Sequence, residues 1–309
     1  MLISLKMEAR IVKPTRLLPG DVIGIAAPAG PFELEVFERG VAVIEDMGFE
    51  VMVPENLQHP TRYLAGPDAH RALLLNDMFN SSDIKGIICA RGGYGSIRIL
   101  DLMDFDLLRK HPKIFLGFSD ISALISVVTT RGNLVAFHGP NITTLSKATP
   151  QTKASFYRAI TSDQPFDIRP EKPRVVNPGK GTGIVSGGNL ATLCHLLGTP
   201  YSPTYRGCLF VMEDTGEAPY KIDRMLFQMK MAGCFQGLSG VVLGNFQDCG
   251  RYEGICDIVK DVFEDMPIPI MGGFDMGHGP ENITIPMGIE ATLDTEQGTL
   301  IYHEAATIP

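Results

Sequence analysis

No apolar run in this sequence approaches the ~20 residues needed to span a bilayer, so a membrane-embedded protein is not expected. Basic clusters are missing as well. The chain carries 27 Lys+Arg against 35 Asp+Glu, a net charge of −8, with no cationic run. Nucleic acid is therefore not an expected partner, because phosphate binding needs clustered cations. A small anionic substrate stays compatible, since one local Arg or Lys can bind it. No Cys-x-x-Cys pair occurs among Cys89, Cys194, Cys208, Cys234, Cys249 and Cys256. Neither a His-Glu-x-x-His motif nor a Cys/His cluster of ligand spacing is present, so no metal is expected. Cys89, Cys194 and Cys208 sit in apolar segments and read as small buried hydrophobes of a reducing compartment. Residues 1–10 lack the apolar core of a signal peptide because Lys6, Glu8 and Arg10 interrupt it; the expected location is cytoplasmic.

What is present is the composition of a soluble globular protein. Hydrophobic residues make up 44% and charged residues 20% of 309 positions, enough for two domains with separate cores. From residue 21 to about 161 the chain alternates strand and helix patterns. Strands are expected at 22–26, 50–53, 86–90, 114–116 and 134–137, with helical segments up to 47 and over 71–79, 96–102 and the stretch after Ser119. Such alternation predicts an α/β fold with a mostly parallel, doubly covered sheet. Ligands of such sheets bind at the C-terminal edges of the strands. Ala27-Pro28, Arg91-Gly92-Gly93-Tyr94-Gly95 and Gly117-Phe118-Ser119 all fall at those edges.

Between 161 and 183 the periodicity gives way to Pro- and Gly-rich sequence, which reads as a linker. The expected division is an α/β domain over 1–160, the linker 161–183, and a C-terminal domain over 184–309. In the latter, helices are expected at 189–197, 220–231 and 255–263. Strands are expected at 209–212, 240–243, 268–273, 289–293 and 299–302.

The segment Ile114-Phe-Leu-Gly-Phe-Ser-Asp-Ile121 has the form of a nucleophile at a strand-to-helix turn. Gly117 permits a sharp turn, and apolar residues at Ile121, Leu124, Ile125 and Val128 follow at helical spacing. A serine there would have the amides of a helix N-terminus behind it, where an oxyanion could be stabilised. The competing reading is a plain N-cap, which Ser favours; the motif also departs from the Gly-x-Ser-x-Gly elbow, since Asp120 and Ile121 follow.

A nucleophilic serine needs a base and an acid that orients it. His59, His70 and His111 lie in polar loops or helix starts, His303 lies near the C-terminus, and His195 falls in an apolar run suited to a core or an interface. His138 in Phe-His-Gly-Pro and His278 in Met-Gly-His-Gly-Pro lie in Gly/Pro turns able to bring a side chain into a cleft. His278, after a strand and between Gly277 and Gly279, is the preferred base. For the acid, Glu213 ends an apolar strand and needs a partner there; Asp214 and Glu217 remain rivals. The Arg91–Gly95 loop does not satisfy Gly-x-Gly-x-x-Gly, so a nucleotide site has little support. Its consecutive glycines could instead supply an oxyanion donor.

Taken together in order and spacing, these pieces resemble the LD-carboxypeptidase (muramoyltetrapeptide carboxypeptidase) family of serine peptidases. The likeness is carried by Ile25-Ala-Ala-Pro-Ala-Gly30, Tyr63-Leu-Ala-Gly66 with Arg71, Ala90-Arg-Gly-Gly-Tyr-Gly95, Gly117-Phe-Ser-Asp120, Gly187-Gly-Asn-Leu190, Leu196-Leu-Gly-Thr-Pro200, Glu213-Asp-Thr-Gly-Glu217 with Ile222-Asp-Arg-Met-Leu226, and Gly277-His278. The resemblance implies a Rossmann-like N-terminal domain, a smaller β-rich α+β C-terminal domain, and a homodimer. It implies a triad of Ser119, Glu213 and His278 across the domain interface, with the backbone amides of Gly93 and Asp120 as oxyanion donors. The implied reaction is removal of terminal D-Ala from cytoplasmic murein tetrapeptides, without metal or cofactor. The substrate carboxylate calls for a cation, for which Arg91 comes first, then Lys221 and Arg224. A relative, the microcin C immunity peptidase, acts on an aminoacyl nucleotide. Its branch tends to a longer chain with an extra aromatic-bearing loop, and this chain has no Trp and no long insertion. A non-catalytic ligand-binding protein of the same fold is the alternative from another class.

Overall fold

The computed structural model describes residues 11–309; the signal-peptide reading of residues 1–10 lies outside them. The strands are β1 (Val22–Ala26), β2 (Glu50–Met52), β3 (Ile84–Cys89), β4 (Ile114–Gly117), β5 (Ala136–His138), β6 (Asp167–Ile168), β7 (Arg174–Asn177), β8 (Lys180–Asn189), β9 (Cys208–Thr215), β10 (Gly240–Gln247), β11 (Ile270–Gly272), β12 (Ile285–Met287), β13 (Glu290–Asp294) and β14 (Thr299–Tyr302). They form two sheets. The first has the order β12-β5-β4-β3-β1-β2 and is parallel except for β12. The second has the order β6-β14-β13-β8-β9-β10-β11-β7, with a parallel centre over β8, β9, β10 and β11 and antiparallel flanks. The expected α/β architecture with a β-rich second part is therefore present.

The Pro/Gly-rich stretch contributes strands to the second sheet: β6 and β7 end it on opposite sides. The chain also returns, because β12 pairs antiparallel with β5 of the first sheet, Ile285 opposite His138. The strand β8 escapes the periodicity because it is rich in glycine. A Cβ on Gly187, at φ 141°, would lie 1.9 Å from the Val211 carbonyl oxygen, so the two backbones meet where no side chain fits.

Strand order in the first sheet reverses between β1 and β3, which opens a crevice at their C-terminal ends. The loops over it are tied by a buried guanidinium. Arg71, on the helix Asp68–Asn80, is 2% exposed. It donates to the carbonyl of Gly66 at 2.9 Å and that of Gly95 at 3.0 Å, and also to Pro28 and Asp68. Burial pulls its pKa down, opposed by the Asp68 carboxylate. One cation thus fixes the loops after β1 and β3. Gly30 N–H donates to Gly92 O at 3.0 Å between the same two loops. Among the described residues no helix is long and apolar enough to cross a membrane.

Replacing Arg71 by Met should lower unfolding free energy by on the order of 3 kcal/mol, since three carbonyls and a carboxylate lose a buried donor. Urea denaturation measures this; an unchanged midpoint would contradict the suturing role.

Candidate active site

β4 delivers the serine. All four of its residues are buried, and the chain turns sharply after Gly117. A Cβ there would stand 2.8 Å from Ile121 Cγ2 and 3.0 Å from Asn141 Oδ1, so glycine is required by packing. Ser119 has φ 65°, a left-handed backbone rare for a residue with a Cβ. The capping position of the short helix Ser119–Ile121 is held by Phe118 and not by Ser119. The plain N-cap reading fails for that reason, and a half-buried serine held in a strained conformation is compatible with a presented nucleophile. Gly92 packs directly on it, since a Cβ at that position would lie 2.8 Å from Ser119 Cβ and 3.0 Å from Oγ. The neighbouring Gly93 has φ 103°. Neither the Gly93 nor the Asp120 amide is taken up by the hydrogen bonds of the described loops and turns. The Asp120 side chain is buried and accepts from Ser96 N–H at 2.8 Å, anchoring the turn. Burial raises its pKa, against the Ser96 hydrogen bonds and Arg71.

The acid and base come from the second sheet. Glu213, fully buried on β9, accepts from His278 Nδ1 at 2.8 Å and from the His278 backbone N–H at 2.9 Å, both on Oε2. Burial alone would raise its pKa, but the two imidazoles of His138 and His278 hold it down at about 2. The rivals are thereby separated. Asp214 turns the other way, to Asn189 Nδ2 at 3.1 Å and the Ala191 N–H at 2.9 Å, and burial pushes it up to about 6. Glu217 pairs with Lys221 at 3.2 Å.

His278 is half-buried, in the loop between β11 and β12. Its ring lies 4.9 Å from that of Phe118, the residue before Ser119. No hydrogen bond joins Ser119 Oγ to His278 among the described residues. Gly277 is required here: at φ 85°, a Cβ would lie 2.3 Å from the Glu213 carboxylate. Asn282 Oδ1 holds the Gly277 N–H at 2.8 Å, and Thr152 Oγ1 bonds Glu281 at 2.8 Å, so the loop is stitched to the helix Pro150–Thr161 of the first part. Burial lowers the His278 pKa and the Glu213 hydrogen bond and charge raise it, with a net rise above 6.5.

The other sequence candidates separate. His138 is buried as the last residue of β5, on a strand and not in a turn, and its Nε2 is 3.9 Å from Glu213 Oε1. His195 is exposed, just past the short helix Leu190–Cys194, and not in the core. A cleft of about 570 Å³ opens beside His278, lined also by Phe118, Thr215, Gln247, Asn282 and Lys147. Lys147 is exposed and makes no ion pair among the described residues. None of the cations named from sequence is among the residues lining this cleft: Arg91 is exposed and donates to Pro31 O at 2.5 Å, Lys221 pairs with Glu217, and Arg224 lies 5.3 Å over the Tyr220 ring. No motif marks Lys147; it reaches the cleft because the helix Pro150–Thr161 and the loop of His278 pack together.

Two family profiles match the chain: the LD-carboxypeptidase N-terminal domain over residues 23–139 and the LD-carboxypeptidase C-terminal domain over 182–293. A probable murein peptide carboxypeptidase of Bacillus subtilis (strain 168) is 37% identical, covering 94% of each chain. The microcin C7 self-immunity protein MccF of Escherichia coli is 28% identical over 93% of this chain and 94% of its own. The crystal structure of an MccF-like protein from Bacillus anthracis str. Ames superposes with a TM-score of 0.89 at 26% identity, covering 94% of this chain and 99% of that one.

In an NMR titration the His278 ring should ionise above 6.5. Glu213→Gln removes the charge that favours the imidazolium and leaves burial, so the midpoint should fall below that of the wild type. A midpoint unmoved by the substitution would mean that the contact does not set the ionisation.

Proposed function

The chain belongs to the LD-carboxypeptidase family, and on that premise we propose that it is a serine peptidase releasing terminal D-Ala from murein tetrapeptides in cytoplasmic peptidoglycan recycling. The observation that carries this reading is the bond from His278 Nδ1 to the buried Glu213, beside a serine held at φ 65° on a sheet edge. Its Nδ1 committed to Oε2, His278 has Nε2 left for proton transfer. It takes the Ser119 proton as Oγ attacks the carbonyl carbon of the L-centre, diaminopimelate or lysine. The oxyanion is received by the amides of Gly93 and Asp120, a contribution of about 10²–10³ in rate per donor in comparable sites. Collapse breaks the C–N bond while His278 returns the proton to the D-Ala amine. Water then repeats the sequence on the acyl-enzyme and frees Ser119. Glu213 fixes the tautomer throughout and stabilises the imidazolium.

The D-Ala carboxylate needs a counter-charge, and our reading assigns it to Lys147, the cation lining the cleft beside His278, ahead of Arg91, Lys221 and Arg224. A second reading, an immunity peptidase acting on an aminoacyl nucleotide, is favoured by the likeness to MccF. The absence of Trp, and of an added aromatic-bearing loop, favours the murein substrate.

With EDTA present, the wild type should release D-Ala from a muramoyl tetrapeptide, and Ser119→Ala and His278→Ala should each lose at least about 10³-fold in kcat. Lys147→Ala should raise KM about 10- to 100-fold, as expected for one lost charged hydrogen bond. No release by the folded wild type would shift the assignment to the aminoacyl nucleotide. Failure of a fluorophosphonate to label Ser119 would point to a non-catalytic binding protein.

A further inference from the structure

The mechanism above leaves one buried imidazole unused. His138 is fully buried, and neither of its ring nitrogens has a hydrogen-bond partner. A buried polar side chain without a partner is destabilising, and a sheet interior would accommodate an apolar residue better. The group facing it is the candidate acid. Glu213 Oε1, likewise buried and unpartnered, is 3.9 Å from His138 Nε2, while Oε2 takes both bonds from His278. Each carboxylate oxygen thus faces a different histidine.

The rest of the His138 environment carries no competing charge. The Phe118 ring stands edge-on at 6.1 Å, and a Cβ on Gly188 would lie 3.5 Å from His138 Cδ2. The Ser122 hydroxyl nearby is engaged by the Asn189 N–H at 2.9 Å. Asp214 is turned to Asn189 and Ala191. Across the strand pair stands Ile285, and the Thr284 hydroxyl beside Gly139 has no partner.

We propose that His138 is a positioning residue for the carboxylate. Its Nε2–H, directed at Oε1, opposes rotation of the carboxylate about its last bond, so that Oε2 stays aimed at the His278 N–H. A separation of 3.9 Å exceeds the ~2.9 Å of a direct hydrogen bond, so the hold in this conformation is the attraction of a charge for a dipole across the gap. The arrangement is a line of four side chains, Ser119, His278, Glu213 and His138. It begins and ends on the first sheet and passes through the second, which makes registry between the two sheets a condition of the geometry. The kinetic arm of the test rests on the carboxypeptidase reading; the spectroscopic arm does not.

Three proteins decide the matter: wild type, His138→Gln, whose amide can still donate to Oε1, and His138→Met, of similar bulk without a donor. In proton NMR the His278 Nδ1–H, bonded to a carboxylate, should resonate far downfield in wild type and His138→Gln, and be shifted upfield or lost in His138→Met. With the tetrapeptide, His138→Met should lower kcat about 10-fold with KM within about two-fold, and His138→Gln should recover most of it. An unchanged downfield proton and kcat in His138→Met overturns the proposal. Equal loss in both variants with a lowered Tm also overturns it, since the residue would then only fill space. Should His138→Met not fold, His138→Asn, whose amide stops short of Oε1, takes its place. If the wild type hydrolyses no tetrapeptide, the function reading fails, and the downfield proton alone decides the role of His138.

Discussion

A carboxylate fully buried from the surface constrains this protein more than any other single group. Glu213 lies fully buried near the C-terminal end of β9, and a bare charge there would be costly by several kcal/mol. It is stabilised from two sides. His278 supplies two hydrogen bonds from one residue, side chain and backbone, and His138 faces the other oxygen. Because one imidazole arrives on a loop after β11 and the other on β5, the charge is satisfied only when both sheets are in place. The glycine before His278 follows from the same constraint, since any side chain at Gly277 would occupy the carboxylate's position.

The nucleophile side is governed by close approach. Gly92 and Gly117 are needed because Ser119 and its turn fill the space a Cβ would take. Ser119 itself accepts the left-handed backbone that such a turn demands. Strain of this kind persists only where surroundings over-determine it. Here the surroundings are the Asp120 carboxylate on Ser96 N–H, the Asn141 side chain on Phe118 N–H and the Arg71 guanidinium across the adjoining loops. The site is thus supported by buried polar groups whose partners are backbone atoms, an arrangement that holds loops as firmly as strands.

Several features were legible in the residues. Alternating apolar runs and amphipathic spacings disclosed the parallel sheet of the first part, since period-2 and period-3.6 patterns report which face meets the core. Strand-edge glycines marked the loops of the site. Other features were not legible. β8 carries too many glycines to show a strand pattern, and β6, β7 and β12 are too short to be periodic; pairing with distant strands makes them strands. Lys147 has no motif around it and enters the cleft through packing.

The sequence by itself determined most element types of the first part, the Gly-Phe-Ser-Asp turn and the residues able to do acid–base work, because these follow from local spacing and side-chain chemistry. Only the tertiary structure decided which of Glu213, Asp214 and Glu217 bonds an imidazole, and which of His278 and His138 is the partner bonded to Oε2. Those choices depend on which way a side chain points from a strand end and on what lies within 4 Å of it across the interface of two sheets. Local sequence carries no information about that distance. It is set by the registry of β9 against β8 and by the return of the chain through β12 to His138.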